Sequence, residues 1–293
     1  SVETAATVAS PAGEYPITVS GGEAANYHFV HHGSSLIIGE GAQHIAIFEV
    51  DSNATYGDEP LQLEAESTSG LPVGFESSNP DVLEVNGTQL KVRGAGTATI
   101  YAFQDGSANY LPATELNATV TVFTAQLHAI AEPKSKAYLE ENPELTFRYE
   151  GFVNDENASY LEEEPSVETA ATVASPAGEY PITVSGGEAA NYHFVHHGSE
   201  LIIGEGAQHL EHFAVDSNAT YGDGDLQLEA NASSGLAVTF TSSNPDVLEV
   251  NGTQLKVRGA GVATIYAFQD GSANYLPATE LNATVTVFTA QLH

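Results

Sequence analysis

The hexapeptide Ser1-Val2-Glu3-Thr4-Ala5-Ala6 occurs again as residues 166–171, and the similarity continues along the chain from there. Residues 1–128 and 166–293 align without an insertion, and 114 of the 128 aligned positions are identical. Repetition on this scale decides the architecture before any motif is considered. It favours a protein whose function depends on its length or on the number of its binding sites. An enzyme has little use for a second copy of its active site on one chain.

The segment between the copies, residues 129–165, has no counterpart elsewhere in the chain. The repeating unit is therefore 165 residues long, and we predict that residues 129–293 form one whole unit. Residues 1–128 are then predicted to be the tail of a preceding unit in a longer protein.

Apolar residues recur at every second position through most of the chain. Leu90 and Val92, for example, alternate with Lys91 and Arg93. This spacing places the apolar side chains on one face of a strand. Turn signals separate such runs about every 8–12 residues, which is typical of sandwiches. The predicted fold class is all-β, with tandem Ig-like antiparallel β-sandwiches in an extended repeat array.

Two local patterns refine this prediction. Asn86-Gly87 lies between Val85 and Leu90 and predicts a tight hairpin of type I′, in which both central residues have positive φ. Residues 155–164 are predicted to form either a helical turn or an acidic loop.

Two kinds of module alternate along the chain. One kind runs over residues 129–206, and its second half recurs as residues 1–41. The other runs over residues 42–128 and recurs as residues 207–293. Each whole module has roughly 80 residues, which is near the lower size at which a core suffices without disulfides.

The two kinds of module share an Ala-Asn-Tyr that comes after a glycine turn. It occurs as Ala25-Asn26-Tyr27 in one kind and as Ala108-Asn109-Tyr110 in the other. We predict a core tyrosine whose hydroxyl forms a hydrogen bond to the backbone near a corner.

The module at residues 129–206 resembles the MBG-type domains of large bacterial surface proteins. The resemblance rests on Leu145–Asn154, Gly178–Gly187 and Asn191-Tyr192, which follow a pattern of Tyr-x-Gly-Phe, Gly-x-Tyr-Pro-Ile, Ser-Gly-Gly and Asn-Tyr. One departure is that Tyr138 is followed by Leu139-Glu140, where those domains commonly carry Tyr-Gly-Asp. Residues 1–41 are then the C-terminal half of an MBG-type module.

The modules at residues 42–128 and 207–293 are similar to bacterial immunoglobulin-like repeats. The motifs that carry this resemblance are Tyr56-Gly57-Asp58, Ser69–Val73, Ser77–Val82 and Gly94–Ile100. Together the two resemblances cover essentially the whole chain. They imply stalk repeats of long adhesins and secreted surface proteins, which have no shared catalytic residues.

The formal net charge is −32, from 39 acidic and 7 basic side chains. This argues against nucleic acid and anionic membranes as partners, because both attract clustered Lys and Arg. No apolar run approaches the ~20 residues that span a bilayer, so we predict no membrane insertion in this segment. A strand pattern follows Gly94-Ala95-Gly96, where a dinucleotide site requires a helix. We predict no enzyme and no organic cofactor.

Calcium is the candidate metal, because carboxylates from two modules can converge at the junctions of tandem β-sandwich stalks. The candidate ligands are Glu40, Asp51 and Asp58, with Glu205, Asp216, Asp223 and Asp225 in the second copy. An alternative is that histidines form a transition-metal site or a pH-sensitive patch. They are His28, His31 and His32, repeated as His193, His196 and His197, with His44 and His209 further on.

Asn-x-Ser/Thr sequons are dense in this chain and predict N-linked glycans if its source glycosylates secreted proteins. The eight asparagines are Asn53, Asn86, Asn117, Asn157, Asn218, Asn231, Asn251 and Asn282. The alternative is that turns and exposed strand faces simply use these residue types.

The predicted function is that of a structural repeat segment at the cell surface, acting as the stalk or spacer of an extracellular adhesin. Its predicted partners are neighbouring repeats of the same protein. The first alternative is a subunit of a self-assembling extracellular filament or sheath, in which strand edges pair between molecules. The second is a carbohydrate-binding module, which the absence of Trp disfavours.

Overall fold

The computed structural model describes residues 1–291; Leu292 and His293, at the end of the predicted module 207–293, lie outside the described residues. The described chain is built from strands with one short 3-10 helix, Ala158–Tyr160, which confirms the predicted all-β class of tandem β-sandwiches. It divides into two compact units. The first contains Ser1–His128, Glu150–Glu164 and Gly186–Val195, and the second contains Ala129–Tyr149, Pro165–Ser185 and His196–His293.

Residues 1–41 form one antiparallel sheet. Its strands, in the order β1-β2-β3, are β1 (Val2–Thr4), β2 (Gly13–Val19) and β3 (Ser34–Ile38). The segment 27–33 between β2 and β3 has no strand pairing.

Residues 42–128 contain nine strands in three sheets. They are β4 (Ile45–Glu49), β5 (Asn53–Thr55), β6 (Leu61–Gln62), β7 (Glu64–Ser67), β8 (Gly74–Ser77), β9 (Leu83–Asn86), β10 (Gln89–Val92), β11 (Gly96–Phe103) and β12 (Leu116–Phe123). The sheet orders are β4-β7, β6-β10-β9 and β5-β12-β11-β8. Alternate positions on these strands supply a fully buried core that includes Leu83, Leu90, Ile100 and Val120, as the period of two predicts.

The next seven strands belong to the predicted MBG-type module. They are β13 (Ala125–Ala131), β14 (Lys134–Ala137), β15 (Phe147–Glu150), β16 (Ser166–Thr169), β17 (Gly178–Ser185), β18 (Tyr192–His197) and β19 (Ser199–Gly204). The sheet orders are β15-β13-β18 and β14-β19-β17-β16. Because β13 begins at Ala125, it lies across the predicted boundary at residues 128 and 129. The module boundaries stay a prediction.

The remaining strands repeat the arrangement of residues 42–128. They are β20 (Leu210–Ala214), β21 (Asn218–Thr220), β22 (Leu226–Gln227), β23 (Glu229–Ala232), β24 (Thr239–Ser242), β25 (Leu248–Asn251), β26 (Gln254–Val257), β27 (Gly261–Phe268) and β28 (Leu281–Phe288). Leu248 and Leu255 from the sheet β22-β26-β25 pack with Ile265 and Val285 from the sheet β21-β28-β27-β24. The two sheets therefore enclose one core, as in a sandwich.

The sheets are not purely antiparallel, which corrects one detail of the prediction. The strands β5 and β12 pair in parallel, and so do β14 with β19 and β21 with β28. In the module 42–128 the cause is a change of sheet within the first strand run. The run pairs with β7 as β4, turns at residues 50–52, and joins the other sheet as β5 beside the last strand.

The predicted hairpin is present, but its turn is not of type I′. Asn86 pairs with Gln89, so the two loop residues are Gly87 and Thr88. Only Gly87 of these two has a positive φ, of 63°. A type I′ turn needs positive φ at both central positions, and a β-branched threonine disfavours that conformation.

The acidic stretch 155–164 does contain a helical turn, because the side chain of Asn157 accepts a hydrogen bond from Ser159 N–H and begins the 3-10 helix. Among the described residues, no helix has the length and hydropathy required to cross a bilayer.

The duplication yields a direct test of how much burial depends on the neighbouring segment. Leu201 is fully buried, whereas Leu36 at the equivalent position is 39% exposed. We expect Leu201→Ala to lower the free energy of unfolding by about 2–5 kcal/mol. Leu36→Ala should cost less than about 1 kcal/mol. Urea unfolding followed by circular dichroism measures both, and equal losses would contradict the difference in burial.

Candidate functional site: the module junctions

The first kind of junction joins residues 1–41 to the module 42–128 through Asn109. Its side-chain Oδ1 accepts a hydrogen bond from Ala12 N–H at 2.8 Å. Its backbone carbonyl accepts one from Gly41 N–H at 2.8 Å, and the carbonyl of Gly41 accepts one from Leu111 N–H at 2.9 Å. A single loop residue therefore satisfies two backbone amides of the preceding segment.

The same junction recurs in the second unit with the equivalent residues. Asn274 Oδ1 accepts from Ala177 N–H, and the Asn274 carbonyl accepts from Gly206 N–H, both at 2.9 Å. The ring of Tyr275 also packs edge-on against Tyr138, with 5.3 Å between the ring centroids. Two copies of one sequence thus form the same junction.

A buried glutamine pair fixes the loop that carries Asn109. Gln43 Nε2 donates to Gln104 Oε1 and to the carbonyl of Leu111, the latter at 2.7 Å. Gln104 Oε1 also accepts from Gly106 N–H at 2.7 Å. Gly106 has a φ of +83°, and a Cβ at that position would lie 2.5 Å from the carbonyl oxygen of Tyr110. Only glycine fits there, so the loop has a defined conformation.

The second kind of junction lies within the first unit and joins the module 42–128 to residues of the MBG-type module. Asn191 Oδ1 accepts a hydrogen bond from Ala95 N–H at 2.9 Å. The backbone carbonyl of Asn191 accepts from Ala125 N–H, also at 2.9 Å. Asn191 therefore uses its side chain and its backbone in the same way as Asn109.

A carboxylate shared by two tyrosines lies beside Asn191. Tyr56 Oη donates to Glu156 Oε1 and Tyr192 Oη donates to Glu156 Oε2, each at 2.5 Å. Tyr192 Oη also accepts from Val153 N–H at 3.1 Å. The rings of Tyr56 and Tyr192 meet edge-to-face with their centroids 5.7 Å apart. Hydrogen bonds to a charged carboxylate are among the stronger contacts in proteins.

Burial and, second to it, the hydrogen bond to Glu156 raise the pKa of the Tyr192 hydroxyl above its ordinary value. The same two causes, with burial again the larger, raise the pKa of the Tyr56 hydroxyl. A raised pKa keeps both hydroxyls protonated, and only a protonated hydroxyl can donate to the carboxylate. The junction therefore retains both hydrogen bonds up to at least the ordinary tyrosine pKa near 10.

Close backbone contact completes this junction. Gly57 has a φ of +95°, and a Cβ there would lie 2.7 Å from the side chain of Val153. The equivalent Gly222 has a similar φ of +99° and no heavy atom within 4 Å of that position. Tyr56 is 6% exposed, whereas the equivalent Tyr221 is 52% exposed. The contact with residues 150–164 and 186–195, and not the local sequence, buries Tyr56.

The Ala-Asn-Tyr motif that the two kinds of module share supplies the asparagine of both kinds of junction. The sequence predicts a core tyrosine in this motif, and the outcome differs between its copies. Tyr192 is buried, with its hydroxyl bound to the Val153 amide, whereas Tyr27 is 81% exposed and Tyr110 is half-buried. The sequence interpretation missed the role of Asn109 and Asn191. The motif itself was the available signal, since an asparagine retained in two otherwise different modules needs a reason.

The predicted calcium ligands do not form one ligand set. Asp58 and Asp223 each accept a hydrogen bond from the backbone amide three residues earlier. Asp51 lies on the surface with Glu49 and Glu64 nearby, and Asp216 lies near Asp225 and Glu229. Glu40 and Glu205 are exposed next to the junction glycines. Within residues 1–291, no three His, Cys, Asp or Glu side chains are grouped so that they could hold a metal ion. Calcium binding stays a prediction.

The other predicted positions lie at the surface. All eight sequon asparagines are exposed. The histidines His193, His196 and His197 lie on β18, whereas His28, His31 and His32 lie outside any strand. Only the second copy therefore presents these histidines from a strand.

Part of the chain matches the model of a known protein family. Residues 127–201 match the family model described as MBG domain (YGX type), which confirms the MBG-type resemblance over that range. Comparison with curated protein sequences found no match.

Three solved structures show similarity over most of the chain. Drosophila N-cadherin EC1-4 is 11% identical, with 95% of this chain and 83% of that chain covered and a TM-score of 0.31. Surface layer protein SbsC, domains 1-6, is 13% identical, with 97% and 45% covered and a TM-score of 0.23. A SusE-like surface located polysaccharide binding protein from the Bacteroides thetaiotaomicron heparin utilisation locus is 10% identical, with 99% and 54% covered and a TM-score of 0.23.

Tyr56 and Tyr221 form a matched pair for testing the junction. We expect Tyr56→Phe to lower the free energy of unfolding by about 1.5–3 kcal/mol, because it removes a hydrogen bond to a carboxylate. Tyr221→Phe should change it by less than about 0.5 kcal/mol, because that ring is exposed. Urea unfolding of the two variants compares them directly. Equal effects would mean that the contact of Tyr56 with Glu156 adds nothing to stability.

Proposed function

We propose that this chain is a spacer segment of an extracellular surface protein, in which fixed junctions hold successive β-sandwich modules in a set orientation. The stalk of an adhesin is the corresponding biological role. A spacer acts mechanically and not chemically, so the residues that matter for it are those at the junctions.

The observation that carries this proposal is the hydrogen bonding of Asn109, Asn191 and Asn274. Each asparagine accepts one backbone amide with its side chain and another with its carbonyl. Contacts of this kind leave the two joined modules little freedom to rotate, because any rotation about the junction breaks several hydrogen bonds together. A flexible linker would instead be rich in unpaired polar residues.

The family match supports the cellular setting. MBG-type domains resemble the stalk repeats of large bacterial surface proteins, and residues 127–201 match that family. The high negative charge, −32 for the chain, supports solubility outside the cell and repulsion between neighbouring stalks. Exposure of every sequon asparagine leaves these sites accessible to glycosylation in a host that performs it.

Pulsed electron spin resonance between two spin labels tests whether the junction is fixed. The chain has no cysteine, so cysteines introduced at Thr88 and His193 are unique labelling sites. Both positions are exposed, and they lie in the two modules joined by Asn191. We expect one narrow distance distribution. A broad distribution would contradict a spacer with fixed junctions.

Gly57→Ala and Gly222→Ala supply the perturbation and its control. Both place a Cβ at a positive φ, so both carry similar backbone strain of about 1–3 kcal/mol. Only the Gly57 variant pushes against Val153, so only that variant should shift or broaden the label distance.

Calcium and a chelator can be compared on the same labelled chain. A change that depends on calcium would support the separate proposal of calcium binding.

A further inference from the structure

Each whole module pairs a strand near its start in parallel with its last strand. The strand β5 pairs with β12 in the module 42–128, β14 pairs with β19 in the module 129–206, and β21 pairs with β28 in the module 207–293. The module 129–206 differs in sequence from the other two, yet it has the same arrangement. A pairing that two different kinds of module share needs a physical reason beyond the local sequence.

Backbone hydrogen bonds extend the parallel pair of the module 42–128 beyond its strand residues. Thr121 N–H donates to the carbonyl of Ser52 at 2.9 Å, and Tyr56 N–H donates to the carbonyl of Phe123 at 2.8 Å. The second copy repeats the two bonds at 3.0 and 2.8 Å. Hydrogen bonds therefore hold both ends of each of these pairs.

The corresponding pair of the MBG-type module is longer. Four residues of β14 have partners on β19, from Lys134 opposite Leu201 to Ala137 opposite Gly204. Tyr138 N–H then donates to the carbonyl of Gly204 at 2.9 Å. The same kind of backbone bond thus ends the pair in both kinds of module.

The buried lysine of β14 attaches this strand to its module a second time. Lys136 Nζ donates to the carbonyls of Glu140 and Thr172, both at 2.9 Å. Thr172 follows β16, which lies at the opposite edge of the sheet β14-β19-β17-β16. Sliding of β14 along β19 would therefore also break a contact with a different part of the module.

Parallel pairing determines how tension acts on the hydrogen bonds. Asn53 lies opposite Thr121 and Thr55 lies opposite Phe123, so the start of β5 and the end of β12 are at opposite ends of the pair. Tension that pulls these two points apart slides the strands along each other and loads all the hydrogen bonds between them together. In an antiparallel pair the two points would be at the same end, and the bonds would break one after another.

We propose that the parallel strand pairs are mechanical clamps, which keep each module folded while the chain carries tension. The bonds of a clamp share the load, so a large force is needed to separate its strands. Tension passes through successive modules in series, and the module with the weakest resistance unfolds first. This gives a reason for both kinds of module to have the clamp. The clamps lie within the modules, so they do not depend on the fixed junctions of the proposed spacer.

The test changes the direction of pulling and leaves the paired strands unaltered. The chain has no cysteine, so introduced cysteines are unique attachment points for the handles of optical tweezers. Asp51→Cys with Thr124→Cys pulls the start of β5 against the end of β12, which shears the pair. Glu59→Cys with Thr124→Cys pulls the end of β5 against the end of β12, which unzips the same pair. All three positions are exposed.

Both chains keep all 293 residues and differ in one attachment point. Forced unfolding is governed by the unfolding rate, so we expect the sheared chain to unfold at a force at least about twofold higher than the unzipped chain. Neither set of substitutions alters a residue of β5 or β12, so both chains should unfold at the same urea concentration in the absence of force.

The MBG-type module allows the same comparison. Pro133→Cys shears β14 against β19 when it is combined with Glu205→Cys, whereas Glu141→Cys with Glu205→Cys unzips the pair. These positions are also exposed. The shearing pair should again require the higher force, by at least about twofold.

Equal forces in the two directions, or a higher force for unzipping, would overturn the proposal for the module concerned. A broad spin-label distance together with a higher shearing force would reject the fixed spacer and support the clamp. The two proposals can therefore fail separately.

Discussion

An asparagine accepts a backbone amide of the adjoining module at each kind of junction in this chain. Asn109 does so for Ala12, and Asn191 does so for Ala95. A backbone amide that a neighbouring module removes from water costs free energy unless it finds an acceptor. The asparagines supply that acceptor, so the modules can pack closely. The contact of Gly57 with Val153 is an example of this close packing. The other junction contacts depend on this close approach.

The two copies of the sequence distinguish the effect of local sequence on secondary structure and burial from the effect of the residues that pack against it. Residues 192–197 form a strand, whereas residues 27–32, which have the same sequence, do not. Tyr56 is buried and Tyr221 is half exposed for the same reason. Each module thus completes its core and its hydrogen bonding with residues of an adjacent segment, which is how repeat proteins distribute stability between their units and their interfaces.

Much of the fold follows from the period of two and from the turn residues. The alternation that includes Leu90 and Val92 places both side chains in the core, as predicted. The parallel pairing of β5 with β12 was not predictable in this way, because it joins residues that are far apart in the sequence. The junctions escaped prediction for the same reason: Ala95 and Asn191 are 96 positions apart. The repeated Ala-Asn-Tyr marked their place without revealing their partners.

Hydrogen exchange at four alanine amides tests the central claim most directly, namely that the junctions are fixed by amides bound to asparagine. Ala95 and Ala125 donate to Asn191, and their sequence equivalents in the second copy are Ala260 and Ala290. The account predicts that Ala95 and Ala125 exchange more slowly than their equivalents by about 10-fold or more, the factor that corresponds to a typical net hydrogen bond. Equal exchange rates within both pairs would contradict it.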